Sequence, residues 1–585
     1  MSMALQPVTA LLAAAGLNEP VLNLLVPDYN NYEVLLLQPE GVIEADKTGV
    51  RNRNRELAAQ QFGRFLADAL ECNADLAITP EYSMPWDTLV QSIQNDAVPD
   101  AGKLWVLGCE SIKYAEIQQL KQTLAPHAEV LFETLASDQR RFVDPLVYVF
   151  RTTRTNGGER VVLVVQFKTC PMGDPDHYEK NGLQCGTKVY QFGGTDNARL
   201  RLFSLICSDA LAIEDAHAKE MYDRALVIHI QLNPKPRHEL FRRYRDRLME
   251  YHGDATEILC LNWAQNVVEW TGTKKATWNN IAGSAWYLKP YGFDVDDETL
   301  QENHQRGLYY TWFSAIRAHA LFLNYRPATF LLTATKVDHI RVKAVLARRR
   351  GPQLTRVGVW DQASGTWVDQ ATADDGFAAI VAMSGASVGA QNAIIQIAQQ
   401  GPILAERVLA LSTGEFGKAE DWYKVSKLDS CQLPVSEEIQ RITFCQDTKA
   451  QDFRIGRLKR GGLLWDHLQT EANLPAALKD LKDGYQFTWT QESPNQNLVS
   501  LRDRRATVMY LGEGKTREQV EEVARRADDF LWRTVRDRNA NHTARQRLAV
   551  WYRDNSGALV LYDSNPLQTI DNTGDESAVD IGRGE

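Results

Sequence analysis

The sequence is poor in the features that mark exported or metal-stabilised proteins. Its 585 residues include 8 cysteines, scattered from Cys72 to Cys445 with no Cys-x-x-Cys pair among them. This pattern fits neither a disulfide framework nor a structural zinc site, and no His, Asp and Cys cluster suggests a metal. We therefore expect a reducing, cytoplasmic compartment and no metal or other cofactor.

Long apolar runs and a basic leader are also missing. The mildly apolar patch at residues 10–15 has no Lys or Arg before it, so it lacks the basic start of a signal peptide. No apolar run approaches the ~18 residues that a bilayer-spanning helix needs. We expect a protein that is neither exported nor embedded in a membrane.

Acidic residues outnumber basic ones, and the formal net charge is −10. This balance makes nucleic acid an unexpected partner. The length exceeds what a single hydrophobic core usually organises, so the chain should form at least two domains.

The most informative segment is an apolar, β-prone run at residues 202–206 that ends at Cys207 and continues into Ser208 and Asp209. A strand that stops at a thiol, with backbone N–H groups nearby, presents a nucleophile well. A free cysteine at a strand end can also be simple core packing. This segment alone leaves both interpretations open.

Two other β-rich runs end in charged residues. Residues 75–79 lead through a proline to Glu81, and residues 161–167 lead to Lys168. Strand ends at one edge of an α/β sheet converge, and ligands bind there. Singly, Glu81 could cap a helix and Lys168 could lie at the surface, but three such strand ends in one chain favour a shared site.

In this combination the sequence resembles the nitrilase, or carbon-nitrogen hydrolase, superfamily. The Pro-Glu pair ending at Glu81 is similar to the family's glutamate element, the Phe-Lys pair ending at Lys168 to its lysine segment, and Leu-Ile-Cys-Ser-Asp around Cys207 to its cysteine elbow. Ser208 stands where the family usually has an aromatic residue. The resemblance extends over residues 20–335.

The resemblance also implies a second glutamate between the lysine and the cysteine. Many members carry it seven residues before a glycine that opens the next strand. Glu179 stands seven residues before Gly186, and we predict that it is this second glutamate.

From the resemblance we expect an α/β fold, a four-layer α-β-β-α sandwich, and hydrolysis of a non-peptide C–N bond in a small amide, carbamoyl or nitrile substrate. Cys207 would form a thioacyl-enzyme and Glu81 would act as general base and acid. Lys168 and the backbone N–H of Ser208 would stabilise the oxyanion, and Glu179 would hold Lys168 and the incoming water. The family usually pairs through helices beside the nucleophile, so residues 213–222 should support at least a homodimer.

A different class of function stays open. A nitrilase-like domain could be retained as a binding or sensing module in a multidomain regulatory protein, with the C-terminal half as effector or partner surface. Nitrilase-like domains are found joined to other modules in bacterial antiviral defence proteins. A thiol-reactive probe would discriminate the two, because an activated thiolate reacts at neutral pH and a packed core thiol does not.

The expected domain plan has five parts. The nitrilase-like domain is preceded by a short extension and interrupted by a charged, helical insertion, which could form a lid. An α+β domain of no recognised family and an acidic, disordered tail follow it. The boundaries are 1–19 for the extension, 20–340 for the nitrilase-like domain with its insertion at 111–145, 341–570 for the second domain and 571–585 for the tail.

Three local patterns complete the sequence predictions. Residues 148–151 and 161–167 should form a hairpin with a two-residue Asn-Gly turn. Residues 237–252 should form a helix with a solvated basic face. The Gly-rich segment at 512–516 lacks the first glycine of a phosphate loop, and Thr516 with Gln519 predicts a helix capping box instead.

Overall fold

A computed structural model of the chain describes residues 3–28, 30–136, 138, 141–173, 178–194, 200–250, 255–271, 274–278, 283–289, 297–337, 351–372, 376–433 and 448–562. The chain divides into two compact units. The first comprises Met1–Asp374 with Leu433–Glu437, and the second comprises Asp375–Gln432 with Glu438–Glu585.

The strands of the first unit carry mostly apolar residues. In chain order they are β1 Ala4–Pro7, β2 Asn31–Gln38, β3 Val42–Asp46, β4 Gly49–Asn52, β5 Leu76–Met84, β6 Leu104–Cys109, β7 Ala128–Phe132, β8 Pro145–Thr153, β9 Glu159–Phe167, β10 Lys188–Gly193, β11 Arg201–Ile206, β12 Ala225–Ile230, β13 Thr256–Leu261, β14 Val268–Thr271, β15 Lys274–Thr277, β16 Ala285–Leu288, β17 Leu308–Phe313, β18 Ala318–Leu323, β19 Ala328–Thr335, β20 Gln353–Asp361 and β21 Thr366–Asp369.

The helices of this unit lie between the strands in sequence. They are α1 Val8–Ala14, α2 Arg55–Glu71, α3 Trp86–Gln94, α4 Tyr114–Leu124, α5 Tyr178–Gly182, α6 Asp215–Met221, α7 Glu239–Glu250 and α8 Asp297–Arg306.

Two nine-stranded sheets dominate the first unit. One has the order β1-β10-β11-β12-β13-β16-β18-β17 and ends at β22, a two-residue strand at Gln432–Leu433. The other has the order β21-β20-β19-β2-β5-β6-β8-β9-β7. A smaller sheet has the order β15-β14-β3-β4. Within these sheets β11, β12 and β13 are parallel neighbours, as are β2, β5 and β6.

The two large sheets pack face to face with helices outside them. Gln166 of β9 donates to the Ser204 carbonyl of β11 at 2.8 Å, and the rings of Phe150 and Phe192 meet edge to face across the interface. On the outer faces, α2, α3 and α4 bury apolar side chains against β5, β6 and β8, and α7 packs Tyr244 against His229 of β12. The predicted α/β class with α-β-β-α layering is confirmed.

Helix α2 shows why these elements form where they do. Asn54 caps its N-terminus by accepting a hydrogen bond from the Leu57 N–H at 3.2 Å. Apolar residues at helical spacing, Phe62, Phe65 and Leu66 among them, are buried. Burying one apolar stripe against a sheet is what fixes such a helix.

Both ends of the first unit differ from the predicted domain plan. The predicted N-terminal extension is not separate, because β1 adds a parallel edge strand to β10, with Ala4 opposite Lys188. At the other end, β20 pairs with β19 and β21 pairs with β20. The first unit therefore continues to residue 374 rather than ending at 340. Residues 341–350, directly after the predicted boundary, lie outside the described residues.

The stretch at 111–145, predicted as an insertion, packs into the first unit. Its helix α4 buries Tyr114, Ile117 and Leu124 in the core, and β7 pairs in parallel with β9 as the edge of the second large sheet. The charged and polar residues of α4 lie on the outer side of a sheet-covering helix.

The predicted hairpin is confirmed, but its turn is longer. Strands β8 and β9 are antiparallel, with Thr153 opposite Glu159, so the loop has five residues. Gly157 and Gly158 carry its positive φ angles of 93° and 91°. Glycine can adopt a left-handed backbone at two successive positions because it has no Cβ that would clash there.

The second unit combines helices with a five-stranded sheet. Its helices are α9 Phe377–Met383, α10 Val388–Gln400, α11 Pro402–Ser412, α12 Thr448–Leu468, α13 Arg517–Thr534 and α14 Arg538–Gln546. Its sheet has the order β23 Tyr485–Phe487, β24 Leu498–Ser500, β25 Arg505–Tyr510, β26 Leu548–Arg553 and β27 Leu559–Leu561.

Three further sequence predictions can be compared with these elements. The capping box at the start of α13 is confirmed, because Thr516 and Gln519 exchange side-chain-to-backbone hydrogen bonds. The solvated basic face of α7 is only partly right, because Arg245 is buried with its guanidinium 5.0 Å from the Tyr287 ring centroid. The acidic segment at 571–585 lies outside the described residues. No helix in the described part of the chain is both long and apolar enough to span a bilayer.

Candidate active site

Glu81 lies inside an irregularity of strand β5 rather than after the strand. The pairing of β5 with β6 shifts register between Thr79 and Met84, and Tyr82 has a φ of 57°. The sequence predicts a strand that ends before the proline, whereas β5 continues beyond a bulge to Met84. Bulges of this kind re-aim side chains at functional sites.

The neighbouring strand makes room for this bulge. A Cβ on Gly108 of β6 would lie 2.1 Å from the Pro80 carbonyl oxygen and 2.9 Å from the Glu81 Cα. Real atoms do not approach so closely, so the backbone around Glu81 can take this path only because residue 108 is glycine.

Lys168 directly follows β9, and its side chain is completely buried. Its ammonium lies 2.6 Å from Glu81 Oε1 and 2.8 Å from Glu179 Oε2. A third carboxylate, Asp144, places its Oδ2 3.6 Å away. The predicted Glu81, Lys168 and Glu179 thus meet around one buried cation.

Glu179 is held on both sides. The Tyr82 hydroxyl donates to its Oε1 at 2.9 Å, and the Met172 N–H donates to its Oε2 at 2.6 Å. The short helix α5 that carries Glu179 therefore connects β5, β9 and the loop after β9. Glu81 is fixed similarly, because its Oε2 accepts the Leu232 N–H at 2.8 Å.

Cys207 follows β11 at the start of a 3₁₀ turn that spans Cys207–Ala212. Its φ of 40° is unusual for a residue with a side chain. Its carbonyl accepts a hydrogen bond from His229 Nε2 at 2.9 Å. Its thiol lies close enough to the Glu81 carboxylate for that charge to raise the pKa of the thiol. The three predicted residues therefore converge, although Glu81 comes from within β5 rather than from its end.

Ser208 and Asp209 lock this turn to the loop after β9. The Ser208 hydroxyl donates to the Cys170 carbonyl at 2.5 Å. Asp209 Oδ1 accepts the N–H groups of Thr169 and Cys170 at 2.7 and 3.0 Å. Hydrogen bonds therefore join the Cys207 turn to the loop next to Lys168.

Burial dominates the electrostatics of the site. It opposes a charged ammonium, but the carboxylates of Glu179 and Glu81 outweigh it and hold the pKa of Lys168 well above its usual value. Burial also raises the pKa of Glu81. The positive charge of Lys168 lowers this pKa, and the negative charge of Glu179 raises it further. Lys168 is therefore a permanent cation at neutral pH.

The thiol does not rest as a thiolate. Burial first, and then the Glu81 carboxylate, raise the pKa of Cys207 well above its usual value. A protonated thiol beside a carboxylate can react only if the carboxylate takes the proton during attack. A thiol-reactive probe would label a preformed thiolate rapidly at neutral pH. With the pKa of Cys207 raised, such rapid labelling is not expected, even if Cys207 is catalytic.

The carboxylates of the site surround an ammonium rather than a metal position. Within the residues that the structure describes, no group of three or more His, Cys, Asp or Glu side chains is arranged to hold a metal ion. The positive charge facing these three buried carboxyl groups is the Lys168 ammonium.

Sequence reasoning missed Asp144 and His229. Asp144 precedes β8, and the hairpin register that pairs Pro145 with Phe167 puts it opposite Lys168, so counting the hairpin register could have found it. His229 on β12 is neutral, because burial lowers its pKa to about 3. It had no signal beyond lying in an apolar strand.

Of the comparisons with known proteins, only the one with solved structures found matches. No protein-family model matches the chain, and no curated protein does. The chain is similar to the glutamine-dependent NAD⁺ synthetase of Acinetobacter baumannii in complex with ADP, at 12% identity and a TM-score of 0.30, covering 69% of this chain and 59% of that one.

Two smaller proteins also match. A mutant of the Nesterenkonia AN1 amidase is 13% identical with a TM-score of 0.29, over 54% of this chain and 94% of the amidase. A Xanthomonas campestris protein with an arsenic adduct in its active site is 11% identical with a TM-score of 0.25, over 44% and 82%. Both are members of the nitrilase or carbon-nitrogen hydrolase superfamily.

Proposed function

We propose that the first unit hydrolyses a non-peptide C–N bond through a thioacyl-enzyme on Cys207. The observation that carries this proposal is the buried Lys168 ammonium held between Glu81 and Glu179 with the Cys207 thiol beside them. A cation, a base and a nucleophile at converging strand ends are the parts that acyl transfer needs.

In the first half-reaction the Cys207 sulfur bonds to the substrate carbonyl carbon while its proton passes to the Glu81 carboxylate. The developing oxyanion is stabilised by Lys168 and by the backbone N–H of Ser208, each worth about 3 kcal/mol in sites of this type. Glu81 then protonates the departing nitrogen as the C–N bond breaks.

The second half-reaction hydrolyses the thioester and restores the free Cys207 thiol. Water adds to the thioester carbon and gives a proton to Glu81, the C–S bond breaks, and the sulfur recovers that proton. Glu179 supports both halves by keeping Lys168 charged and in place, because it binds the ammonium and is itself held by Tyr82 and Met172. For a nitrile the same groups act on a C≡N carbon.

The substrate class follows from the reacting groups rather than from a described cavity. The resting charge of Lys168, Glu81 and Glu179 together is −1, and a neutral amide, carbamoyl or nitrile group can enter without adding a second buried charge. We therefore propose a small neutral C–N group as the reacting part of the substrate.

Intact-mass measurement of the thioacyl-enzyme tests the proposal. The full chain is incubated with a panel of short primary amides and nitriles, ammonia release is followed, and the Cys207 peptide is searched for an acyl adduct. We expect adduct and ammonia with at least one compound in the wild type and in Cys72→Ala, a control at the end of α2. Glu81→Gln should give neither. Ammonia release that persists in Cys207→Ala would refute the mechanism.

A further inference from the structure

Asp144 is a fourth ionisable side chain around Lys168, and the mechanism above does not use it. The β8–β9 ladder continues one pair past Pro145 and Phe167, because the Lys168 N–H donates to the Asp144 carbonyl at 2.9 Å. Asp144 is 1% exposed. Its side chain is therefore fixed beside the site by the backbone of the hairpin.

Lys168 does not satisfy this side chain. The ammonium has three donors, and it directs them at Glu81 Oε1, 2.6 Å away, and at the two Glu179 oxygens, 2.9 and 2.8 Å away. Asp144 Oδ2 is 3.6 Å from the ammonium, which is longer than a charged hydrogen bond. Within the described residues, no ordinary donor reaches either Asp144 oxygen.

The other groups around Asp144 make an ionised form still less favourable. Glu81 and Glu179 are carboxylates, the Tyr82 phenol and the Cys109 thiol are neutral neighbours, and Lys168 is the facing cation. An ionised Asp144 would bring this buried group to a charge of −2 without a donor to stabilise it. Burial and the Glu81 carboxylate accordingly raise the pKa of Asp144 well above its usual value.

The Asp144 and Glu81 carboxyl groups face the same Lys168 ammonium, at 3.6 and 2.6 Å, and a side-chain hydrogen bond between them contributes to the pKa of each. Two carboxyl groups can form this contact only if one of them holds a proton. Glu81 already accepts from Lys168 and from the Leu232 N–H, so it is the better anion, and Asp144 is left as the acid.

We propose that Asp144 is a positioning residue: it holds a proton at neutral pH and donates it in a hydrogen bond to Glu81, which keeps Glu81 ionised as the base for Cys207. This inference rests on the proposed role of Glu81. It assigns to Asp144 the task of opposing the burial that would otherwise protonate the base.

Infrared difference spectroscopy tests the proton directly and needs no substrate. Spectra of the full chain are recorded at about pH 7.5, above the pKa of the buried Asp209, which is about 6. The carboxylic-acid C=O band should be present, shift in D₂O and disappear in Asp144→Asn. It should persist in Asp361→Asn, which removes an exposed, ionised turn carboxylate. A band that survives in Asp144→Asn, or is absent from the wild type, would overturn the proposal.

The pH dependence of Cys207 alkylation tests the effect on Glu81. Iodoacetamide labelling of the Cys207 peptide is measured in the wild type, Asp144→Asn, Asp144→Leu and Glu81→Gln, each with a melting curve. Asparagine retains a donor, so its acid limb should stay near the wild type. Leucine removes the donor, so its limb should move up by about one pH unit, or about tenfold slower labelling on the acid side.

The two failures can be told apart. If Glu81→Gln slows labelling but Asp144→Leu leaves the acid limb unchanged, Asp144 does not tune Glu81 and this inference is wrong while the proposed function stands. If Glu81→Gln labels as fast as the wild type, Glu81 is not the base, and the proposed function and the positioning role fall together. Should the leucine variant not fold, the loss or survival of the infrared band in Asp144→Asn decides the inference.

Discussion

Cys207 combines a reactive side chain with a strained backbone. Its φ of 40° lies in the left-handed region, which costs residues with a Cβ roughly 1 kcal/mol or more. The conformation is held by the hydrogen bond from His229 to its carbonyl and by the Ser208 contact with the next loop. The fold therefore maintains this geometry against a local cost.

Replacing Cys207 should separate chemistry from stability. Cys207→Ala should lower kcat/KM at least about a thousandfold, because the nucleophile is lost, while the free energy of unfolding changes by about 1 kcal/mol or less. Cys207→Gly should be as inactive but no less stable than Cys207→Ala, because glycine accepts the positive φ. Denaturant unfolding and steady-state kinetics check both. Half of the wild-type activity in either variant would contradict the nucleophile assignment.

Lys168 and Glu179 should behave as one unit. The ammonium stays charged in a buried place because Glu179 and Glu81 compensate it, so Glu179→Gln should impair acylation mainly through Lys168. The double variant with Lys168→Met should be little worse than the more impaired single variant. The measurement is a double-mutant cycle on kcat/KM. Fully additive losses would mean that Glu179 acts independently and that its link to the ammonium is only structural.

At the scale of elements, the site depends on how closely β5 and β6 approach. The bulge that contains Glu81 passes over Gly108, where a Cβ would overlap the Pro80 carbonyl. Backbone atoms cannot move aside as a flexible side chain can. Gly108 therefore affects the site indirectly, because it lets the neighbouring strand β5 hold Glu81 in position.

Gly108→Ala should displace Glu81. We expect kcat/KM to fall at least tenfold, as misplacement of a base by about 1 Å does, and Tm to fall as well. The matched control is Gly63→Ala in α2, where the new Cβ would meet its nearest neighbour, Thr88 Cγ2, at an ordinary 3.7 Å. That variant should be stabilised by about 0.5–1 kcal/mol with unchanged activity. Wild-type kinetics in Gly108→Ala would show that the bulge tolerates the methyl group.

At the scale of the whole molecule, the expected homodimer rests on the elements beside the nucleophile. Helix α6 at Asp215–Met221 follows the Cys207 turn closely, and Leu211 just before it is 41% exposed. An exposed leucine next to a surface helix is the kind of apolar contact that a twofold interface buries twice.

Leu211→Asp should therefore weaken self-association. We expect a dimer or larger assembly of the wild type at micromolar concentration by light scattering, and a shift toward monomer in Leu211→Asp because a charge would be buried at the interface. Leu501→Asp, which changes an exposed leucine of the second unit, should assemble like the wild type. A monomeric wild type would rule out the interface.

Part of this molecule is readable from short sequence patterns. The order of Glu81, Lys168 and Cys207, each after a β-rich run, was enough to predict that the three residues converge. They do so between two facing sheets, with β5 and β9 in one and β11 in the other, rather than at one sheet edge. The α/β class followed from the family resemblance of the motifs around them. Glu179 followed from the family resemblance, which implies a second glutamate seven residues before a glycine, the spacing of Glu179 to Gly186. The capping box is a local pattern, since side chains three residues apart determine it.

Only the tertiary structure decided the rest, because it depends on contacts between distant segments. The place of β1 in a sheet, the continuation of the first unit through β20 and β21, and the core role of α4 are pairings that no local pattern encodes. The same holds for the chemistry of the site. Residue type gives Cys207, Lys168 and Asp144 their usual pKa values, but burial and neighbouring charges raise all three, and these exist only once the chain has folded.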